Sequence, residues 1–265
     1  MQIATWNVNS VKIRMPAITK WLTAVSPDIV CLQEIKTVDD GFPRLEFEAL
    51  GYNVAVHGQK SYNGVAILSK KPFEDVTARL PGDENDEQAR YLEAVVMGDK
   101  KPVRVASIYL PNGNPVMDDD GFSQKYTYKL GWLERLKKHA QSLLAHEEFL
   151  VLAGDYNVIP EAKDTHDPEG WWGDALYRTE THQAFRSLLN IGLTEAFEQL
   201  DGRPGQYSFW DYQRGAWQKD HGIRIDHLLL SPQAADEIRS IKIHRNCRDE
   251  VKPSDHVPVV GSFDI

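Results

Sequence analysis

Six side chains that could bind a metal or move a proton stand at the ends of apolar runs in this chain. They are Glu34, Asp155, Asn157, Asp226, Asp255 and His256. The runs that reach Glu34 and Asp155 go from apolar to polar, whereas those that begin at Asp226 and Asp255 go from polar to apolar. So many carboxylates can crowd together only when a cation or shared protons offset their repulsion. The pattern therefore predicts a metal-assisted hydrolytic site.

Strands of opposite direction are needed to bring these groups together. If all four runs are buried strands, two carry their polar groups at the C-terminal end and two near the N-terminal end, and both kinds meet at one edge of a mixed sheet. Asp155 and Asn157 alternate across Tyr156, so their side chains point to the same face of an extended segment. An Asx turn that closes the strand is the structural alternative for this pair, and both interpretations are compatible.

The composition indicates a cytoplasmic protein. The formal net charge of -9 and the pI near 5.5 argue weakly against a nucleic-acid partner. No apolar run reaches the ~20 residues that span a bilayer, so no membrane partner is expected. Cys31 and Cys247 predict structural thiols in a reducing compartment. Basic residues recur beside turns and would give a local positive face for a phosphate backbone: Lys12, Arg14, Lys60, Lys125, Lys129, Arg178, Arg214, Lys219 and Arg224.

Strands and helices alternate along the chain without a repeat or a linker, which predicts one domain over residues 1–265. A helix is predicted from Gln124 to His146, followed by a strand from Phe149 to Ala153. Hairpin strands are predicted at Tyr52 to His57 and Val65 to Ser69. This mixture of hairpins and crossover helices favours packed sheets covered by helices.

Six short motifs follow one another in a recognisable order. They are Thr5 to Ser10, Leu32 to Glu34, Tyr62 to Ile67, Gly154 to Asn157, Arg224 to His227 and Ser254 to His256. In this order they resemble the motifs of the exonuclease III family of AP endonucleases, in the endonuclease/exonuclease/phosphatase superfamily. The resemblance implies a four-layer α/β sandwich, in which two packed mixed β-sheets are flanked by helices. It also implies a magnesium-dependent nuclease, acting as a monomer on damaged duplex DNA.

Hydrolysis of a phosphodiester sets the requirements for the metal site. Water attacks the phosphorus in line, so the site must hold a cation on the phosphoryl oxygens and a base near the water. Glu34 supplies a hard carboxylate, and Asn7 a neutral oxygen that either binds the metal or orients that carboxylate. Oxygen ligands suit Mg²⁺ or Mn²⁺. The expected metal ligands are drawn from Asn7, Glu34, Asp155, Asn157, Asp255 and His256.

The resemblance also assigns roles in catalysis. It implies that Asp155 orients or deprotonates the attacking water, and that Asn157 holds water or phosphate. Tyr109 matches the family tyrosine that touches the phosphate, although a tyrosine at a strand end is more often a packing residue.

A second catalytic group comes from the segments at Asp226 and Asp255, in which the acid precedes the apolar run. The resemblance pairs Asp226 with His256, so that the imidazole is fixed and binds the scissile phosphate. Asp255 is then left as a second metal ligand. Asn9 stands where some relatives carry an aspartate, which puts a second metal position in doubt.

Substrate contacts are expected mainly from an aromatic segment before Arg224. In the family this region forms an apolar pocket for an extruded sugar that lacks its base. Phe209, Trp210 and Ile225 are the expected walls, with core packing as the alternative for each. The loop from Asp164 to Leu176, which carries Trp171 and Trp172, would overhang the DNA groove and narrow the pocket. Further DNA contacts are expected from Asn7, Tyr109, Asn157 and Arg178.

Two other functions are compatible with parts of the pattern. One is a superfamily phosphoesterase for a small-molecule or lipid phosphate, which would carry an apolar membrane loop or a dense basic pocket. The other is a non-catalytic DNA-binding module, which would have lost one of the four groups Glu34, Asp155, Asp226 or His256. The sequence favours a nuclease for duplex DNA that is abasic or blocked at its 3′ end, with exonuclease, 3′-phosphatase or phosphodiesterase, and AP endonuclease activities.

Overall fold

Two six-stranded mixed sheets pack face to face at the centre of the molecule. The computed structural model describes every residue from 1 to 265. The strands are β1 (Gln2–Asn7), β2 (Ile29–Gln33), β3 (Asn53–His57), β4 (Val65–Ser69), β5 (Phe73–Ala78), β6 (Tyr91–Met97), β7 (Pro102–Tyr109), β8 (Met117–Asp118), β9 (Gly121–Phe122), β10 (Phe149–Asp155), β11 (Thr194–Glu195), β12 (Asp226–Leu230), β13 (Ile238–Ile243) and β14 (Val259–Phe263). The helices are α1 (Val11–Val25), α2 (Arg44–Glu48), α3 (Gln124–Leu144), α4 (Thr179–Leu189), α5 (Ala196–Leu200) and α6 (Pro232–Ala235).

Both sheets have the same arrangement around a central parallel pair. The first has the order β13-β14-β1-β2-β4-β3 and the second β11-β12-β10-β7-β6-β5, while β8 and β9 form a separate short hairpin. Strand β1 is parallel to β2 and antiparallel to β14. In the second sheet β10 is parallel to β7 and antiparallel to β12. The strand directions inferred from the order of apolar and polar residues are therefore confirmed.

Apolar side chains fill three interfaces and thereby define four layers. Between the sheets lie residues of alternate strand positions such as Ile3, Val105 and Val151. The outer face of the first sheet packs against α1 through Trp21, and that of the second packs against α3 through Trp132. The predicted four-layer sandwich is confirmed. No helix is long and apolar enough to cross a membrane.

The element boundaries differ from the predicted ones in a few places. Strand β10 continues to Asp155 instead of ending at Ala153, and α3 ends at Leu144 instead of His146. Strand β5 was missed because it is an exposed edge strand, whose polar residues lack the apolar pattern of a buried strand. The hairpin of β3 and β4 is confirmed by their antiparallel pairing.

Candidate active site

The C-terminal ends of β7 and β10 and the start of β12 place three site residues side by side. Asp155 is the register partner of Tyr109 on one side and of Asp226 on the other. Gly154 precedes Asp155 at a point where a Cβ atom would lie 2.0 Å from the carbonyl oxygen of Ile108. The glycine of the Gly154-Asp155 motif is therefore needed for the close approach of β10 to β7.

Glu34 follows β2 in a left-handed backbone conformation, with φ of 49°. The backbone nitrogens of Ile35 and Lys36 donate hydrogen bonds to the carbonyls of Gly64 and Asn63, which hold this turn against the β3–β4 connection. A non-glycine residue in this region is strained, and such strain persists only where the surroundings impose it. The Asn63-Gly64 segment of the third motif thus fixes the direction of the Glu34 side chain.

Asn7 joins the two sheets at the site. Its Nδ2 donates to Oε1 of Glu34 and to Oδ2 of Asp155, each at 2.9 Å. Its Oδ1 accepts from the backbone nitrogen of Asn9. Of the two roles left open by the sequence, this arrangement favours the orientation of carboxylates over direct ligation of a metal.

Asp226 and His256 form the predicted pair. The imidazole Nδ1 lies 2.9 Å from Oδ2 of Asp226, and Nε2 lies 3.7 Å from Oδ2 of Asp155. Ser208 supports Asp226, since its hydroxyl donates to the same Oδ2 at 2.6 Å. The Ser208 oxygen also accepts from two backbone nitrogens, those of Ile225 and Asp226. Ser208 is a positioning residue that the sequence reasoning missed, because nothing in its local pattern links it to Asp226.

The protonation states follow from burial and charge. Burial raises the pKa of Asp155 to about 7, against the opposing charge of His256. Burial alone would lower the pKa of His256, but the carboxylates of Asp226 and Asp155 outweigh it and raise this pKa to about 10. Burial also raises the pKa of Glu34, but the charge of Lys36 and a hydrogen bond from Asn7 reverse this and hold it below its ordinary value. At neutral pH the site therefore holds a carboxylate at Glu34 and an imidazolium at His256.

The donor set suits a hard divalent cation. One ligand atom from each of Glu34, Asp155 and His256 lies within 4.8 Å of the others. Imidazole matches softer ions such as Zn²⁺ better than Mg²⁺, so the carboxylates are the groups of this cluster that best suit a hard ion. Carboxylate oxygens match the preference of Mg²⁺ and Mn²⁺. His256 is better placed to donate to a phosphate than to ligate the ion, which differs from its inclusion among the expected ligands.

Asn157 and Tyr109 complete the edge beside Asp155. The backbone nitrogen of Asn157 donates to Oδ1 of Asp155 at 2.9 Å, which is the Asx turn considered from the sequence. The Asn157 amide bonds to the carbonyl of Leu110 and to Asn112, so its polar atoms hold the loop. Burial and the charges of Glu34 and Asp155 raise the pKa of Tyr109 well above its ordinary value. Tyr109 therefore keeps its proton and can donate it in a hydrogen bond.

A cavity of about 690 Å³ lies between the Phe209 segment and the loop that carries Trp171. Phe209 lines it, and the Phe209 and His256 ring centroids are 4.9 Å apart. Ile223 and Trp171 contribute further apolar wall, and the polar part includes the stacked rings of His166 and His221. The volume falls within the range of small-ligand pockets, roughly 300 to 1,000 Å³.

Two of the three expected wall residues do not line this cavity. Trp210 is completely buried in the core between the first sheet and α1, where its ring packs on Trp217. Ile225 is also buried, in the apolar cluster that lies behind the wall residues Phe209 and Trp171. The assignment of Trp210 and Ile225 to the pocket is therefore corrected to core packing, and Ile223 takes the place of Ile225 at the wall.

The Asp164 to Leu176 loop forms one side of the cavity. Trp171 is among the lining residues, whereas Trp172 points outward with 74% of its surface exposed. The loop is anchored by Arg224, whose Nε donates to Oδ1 of Asp164 at 2.9 Å in a fully buried ion pair. The cavity remains open beside Trp171, so the loop narrows the pocket without filling it.

Two other expected contacts, Asp255 and Arg178, lie in different surroundings. Oδ1 of Asp255 accepts from Asn9 at 3.0 Å, and Asp255 is not part of the cluster of Glu34, Asp155 and His256. Arg178 pairs with Glu180 at 3.0 Å and lies over the ring of Phe122.

Two of the basic residues assigned to a surface face are buried. Lys129 donates to the backbone carbonyls of Asn112 and Asn157, and Arg224 is enclosed by three carboxylates. The expectation that these two residues belong to a positive DNA-binding surface is corrected. Lys129 instead supports the Asn157 turn from beneath.

Known proteins match this chain over nearly its full length. The profile of the Endonuclease/Exonuclease/phosphatase family matches residues 4–256. The 3′-5′ exonuclease from Neisseria meningitidis has 37% identity and a TM-score of 0.94, with both chains fully covered. An AP endonuclease from Archaeoglobus fulgidus has 35% identity and a TM-score of 0.91, again over both full chains. Exodeoxyribonuclease III of Haemophilus influenzae is 28% identical over 272 residues, which cover 99% of this chain and 100% of the relative.

A two-sheet sandwich with carboxylates and an imidazole at one edge defines a hydrolase of phosphate esters, and the chain belongs to the endonuclease/exonuclease/phosphatase family. Within that family it is a DNA-repair nuclease of the exonuclease III type. The identification made from the six motifs is confirmed. The relatives favour it over a lipid phosphoesterase and over a non-catalytic module.

Proposed function

We propose that the chain is a Mg²⁺- or Mn²⁺-dependent enzyme that processes blocked 3′ ends and abasic sites in duplex DNA. The observation that carries this proposal is the continuous set of contacts from Asp226 through His256 to Asp155 and Glu34, beside an open cavity. A 3′ phosphatase from Neisseria, 36% identical, is known in complex with a product DNA hairpin. The proposal includes action as a monomeric single domain in the bacterial cytoplasm.

Each group has a role that fits its protonation state. The divalent ion, held by Glu34 and Asp155, would supply positive charge for the phosphoryl oxygens. Asp155 orients the attacking water and accepts its proton, since its carboxylate stands at the end of β10 beside Tyr109 and His256. The imidazolium of His256 and the hydroxyl of Tyr109 donate to the phosphate as charge develops. Asn7 keeps the two carboxylates in their relative positions.

Three end-labelled duplexes test the function directly. They carry an internal abasic site, a 3′-phosphate, or an undamaged recessed 3′ end, and each is assayed with Mg²⁺ and with excess chelator. We expect turnover of all three with Mg²⁺ and none with chelator. Full activity in the presence of chelator would remove the metal from the proposal.

Metal affinity provides a first prediction about a single residue. Glu34→Gln should weaken Mn²⁺ binding by about 100-fold, because it removes the only carboxylate of the cluster whose pKa is held low. Calorimetric titration of the DNA-free protein measures this without depending on turnover. Glu180→Gln, which changes a half-buried carboxylate paired with Arg178, is the control and should leave the affinity unchanged. Equal Mn²⁺ affinity in Glu34→Gln and the control would contradict the assignment.

Substrate discrimination provides a second prediction. A baseless sugar is easily extruded, whereas a normal nucleotide must first be unstacked at a cost of a few kcal/mol. Phe209→Ala should therefore reduce the preference for abasic over normal nucleotides by about tenfold, through loss of the wall beside His256. Removal of a 3′-phosphate should change less, since its small end group needs little of the cavity. Ratios of kcat/KM on the three duplexes measure both effects.

The two tryptophans of the loop supply a matched pair for the same experiment. Trp171→Gly widens the cavity and should speed incision at internal abasic sites relative to 3′-phosphate removal. Trp172→Gly changes an exposed ring outside the cavity and should leave this ratio unchanged. Identical ratios in Trp171→Gly and wild type would show that the loop does not limit access.

A further inference from the structure

A cation of the chain itself lies against the metal-binding carboxylate. The Nζ of Lys36 is 2.8 Å from Oε2 of Glu34, on the oxygen that Asn7 does not contact. The same ammonium donates to Oδ1 of Asn9. The Lys36 backbone is left-handed, with φ of 54°, and its nitrogen donates to the carbonyl of Asn63. Lys36 is thus held in place by the same turn that positions Glu34.

Asn9 continues this set of contacts towards Asp255. Its Nδ2 donates to Oδ1 of Asp255 at 3.0 Å, while its Oδ1 accepts from Lys36. The backbone nitrogen of Asn9 donates to Oδ1 of Asn7, so its main chain is fixed as well. The amide is neutral, and it presents a donor to Asp255 and an acceptor to the ammonium. Asn9 therefore separates Asp255 from Glu34 without adding charge.

These contacts bear on the number of metal ions. We propose that Lys36 and Asn9 together fill the position of a second cation, so that the site holds a single divalent ion and Asp255 does not bind metal. The inference rests on the metal dependence proposed above. A divalent ion between Glu34 and Asp255 would face the Lys36 ammonium at short range and would find an amide where a charged ligand is needed. Lys36 supplies fixed positive charge there and neutralises part of the Glu34 cluster.

Metal stoichiometry tests the proposal without any activity measurement. Mn²⁺ is titrated into the DNA-free full chain, and bound ions are counted by calorimetry and by the electron paramagnetic resonance signal of free Mn²⁺. Wild type and Asn9→Asp should each bind one ion strongly, because the ammonium remains in both. Lys36→Gln should also bind one ion, but roughly tenfold more tightly, since a repelling charge is gone.

The double variant Asn9→Asp/Lys36→Gln should bind two ions, because it places a third carboxylate between Glu34 and Asp255 and removes the ammonium. Lys100→Gln removes an equal charge from an exposed residue whose nearest acid, Asp264, is 3.9 Å away, and should match wild type. Two strongly bound ions in wild type would overturn the proposal, as would unchanged affinity in Lys36→Gln. Binding of no ion by wild type would instead contradict the metal dependence on which the inference rests.

Discussion

Asp155→Asn should lower the single-turnover rate on all three duplexes by at least about 10⁴, a loss comparable to that of removing the carboxylate of a catalytic triad. Asp155 faces Nε2 of the His256 imidazolium, 3.7 Å away, and both of its oxygens are engaged. Oδ1 accepts from the nitrogen of Asn157 and Oδ2 from Nδ2 of Asn7. An asparagine can accept only one of these bonds. Its amide nitrogen would replace the other oxygen and would face an N–H donor where an acceptor is needed. The variant loses both the base and part of its alignment.

Two further measurements distinguish this loss from misfolding. DNA affinity should be equal or higher in Asp155→Asn, because one negative charge is removed beside the phosphate. The folded pKa of Asp155 is raised above its unfolded value, so the ionised carboxylate destabilises the metal-free wild type as pH rises from about 4 to 7. Asp155→Asn lacks this titration, so its melting temperature should fall less than that of wild type between pH 4 and pH 8. A rate loss below about 100-fold would remove Asp155 from its role as base.

The strand ends of the site were predictable because the signal is local. Burial on both faces makes a continuous apolar run, and the position of the polar residue before or after it gives the strand direction. This is why the strand ends at Asp155, Asp226 and Glu34 could be predicted to meet. They were expected on one mixed sheet, whereas β2 lies in the first sheet and β10 and β12 lie in the second. The partners of these residues could not be placed, since Asn7 bonds to side chains 27 and 148 positions away.

The error at Trp210 has a different origin. Neighbouring residues of an extended segment point to opposite sides, so Phe209 and Trp210 could not both face the same cavity. Bridges from Phe209 to Ile223 and to His256 confirm that the segment is extended. Phe209 and Trp210 are adjacent in the sequence, so an extended segment already predicts that their rings point to opposite sides.

Buried cations were beyond the reach of sequence patterns. The polar sequence around Lys129 in α3 predicts an exposed side chain. Its partners are instead backbone carbonyls of the loops after β7 and β10. Burial lowers the pKa of Lys129 to about 7. A backbone carbonyl can belong to any type of residue, so no sequence motif identifies it as the partner of Lys129. No local motif connects Ser208 with Asp226 either. Support of this kind appears only when the chain is folded.

Asp226→Asn should lower the rate by about 10³ to 10⁴, close to the loss from the corresponding change in serine proteases. The substitution keeps the shape of the side chain but removes the charge that stabilises the imidazolium. Asp226 is the largest favourable contribution to the high pKa of His256. Its loss lowers that pKa from about 10, so the imidazole becomes neutral at lower pH and can no longer donate from both nitrogens.

The dependence of rate on pH separates this role from a structural one. In wild type the imidazolium persists to about pH 10, so deprotonation of His256 should not lower the turnover rate below pH 9. In Asp226→Asn the residual rate should decline within the range from pH 6 to 9, as the lowered pKa of His256 is crossed (~6.5 when unperturbed). Ser208→Ala is the matched control. It removes a hydrogen bond to Asp226 but not the charge, so it should slow turnover by only about tenfold and leave the alkaline limb unchanged. An alkaline limb in Asp226→Asn identical to that of wild type would show that Asp226 does not act through the charge of His256.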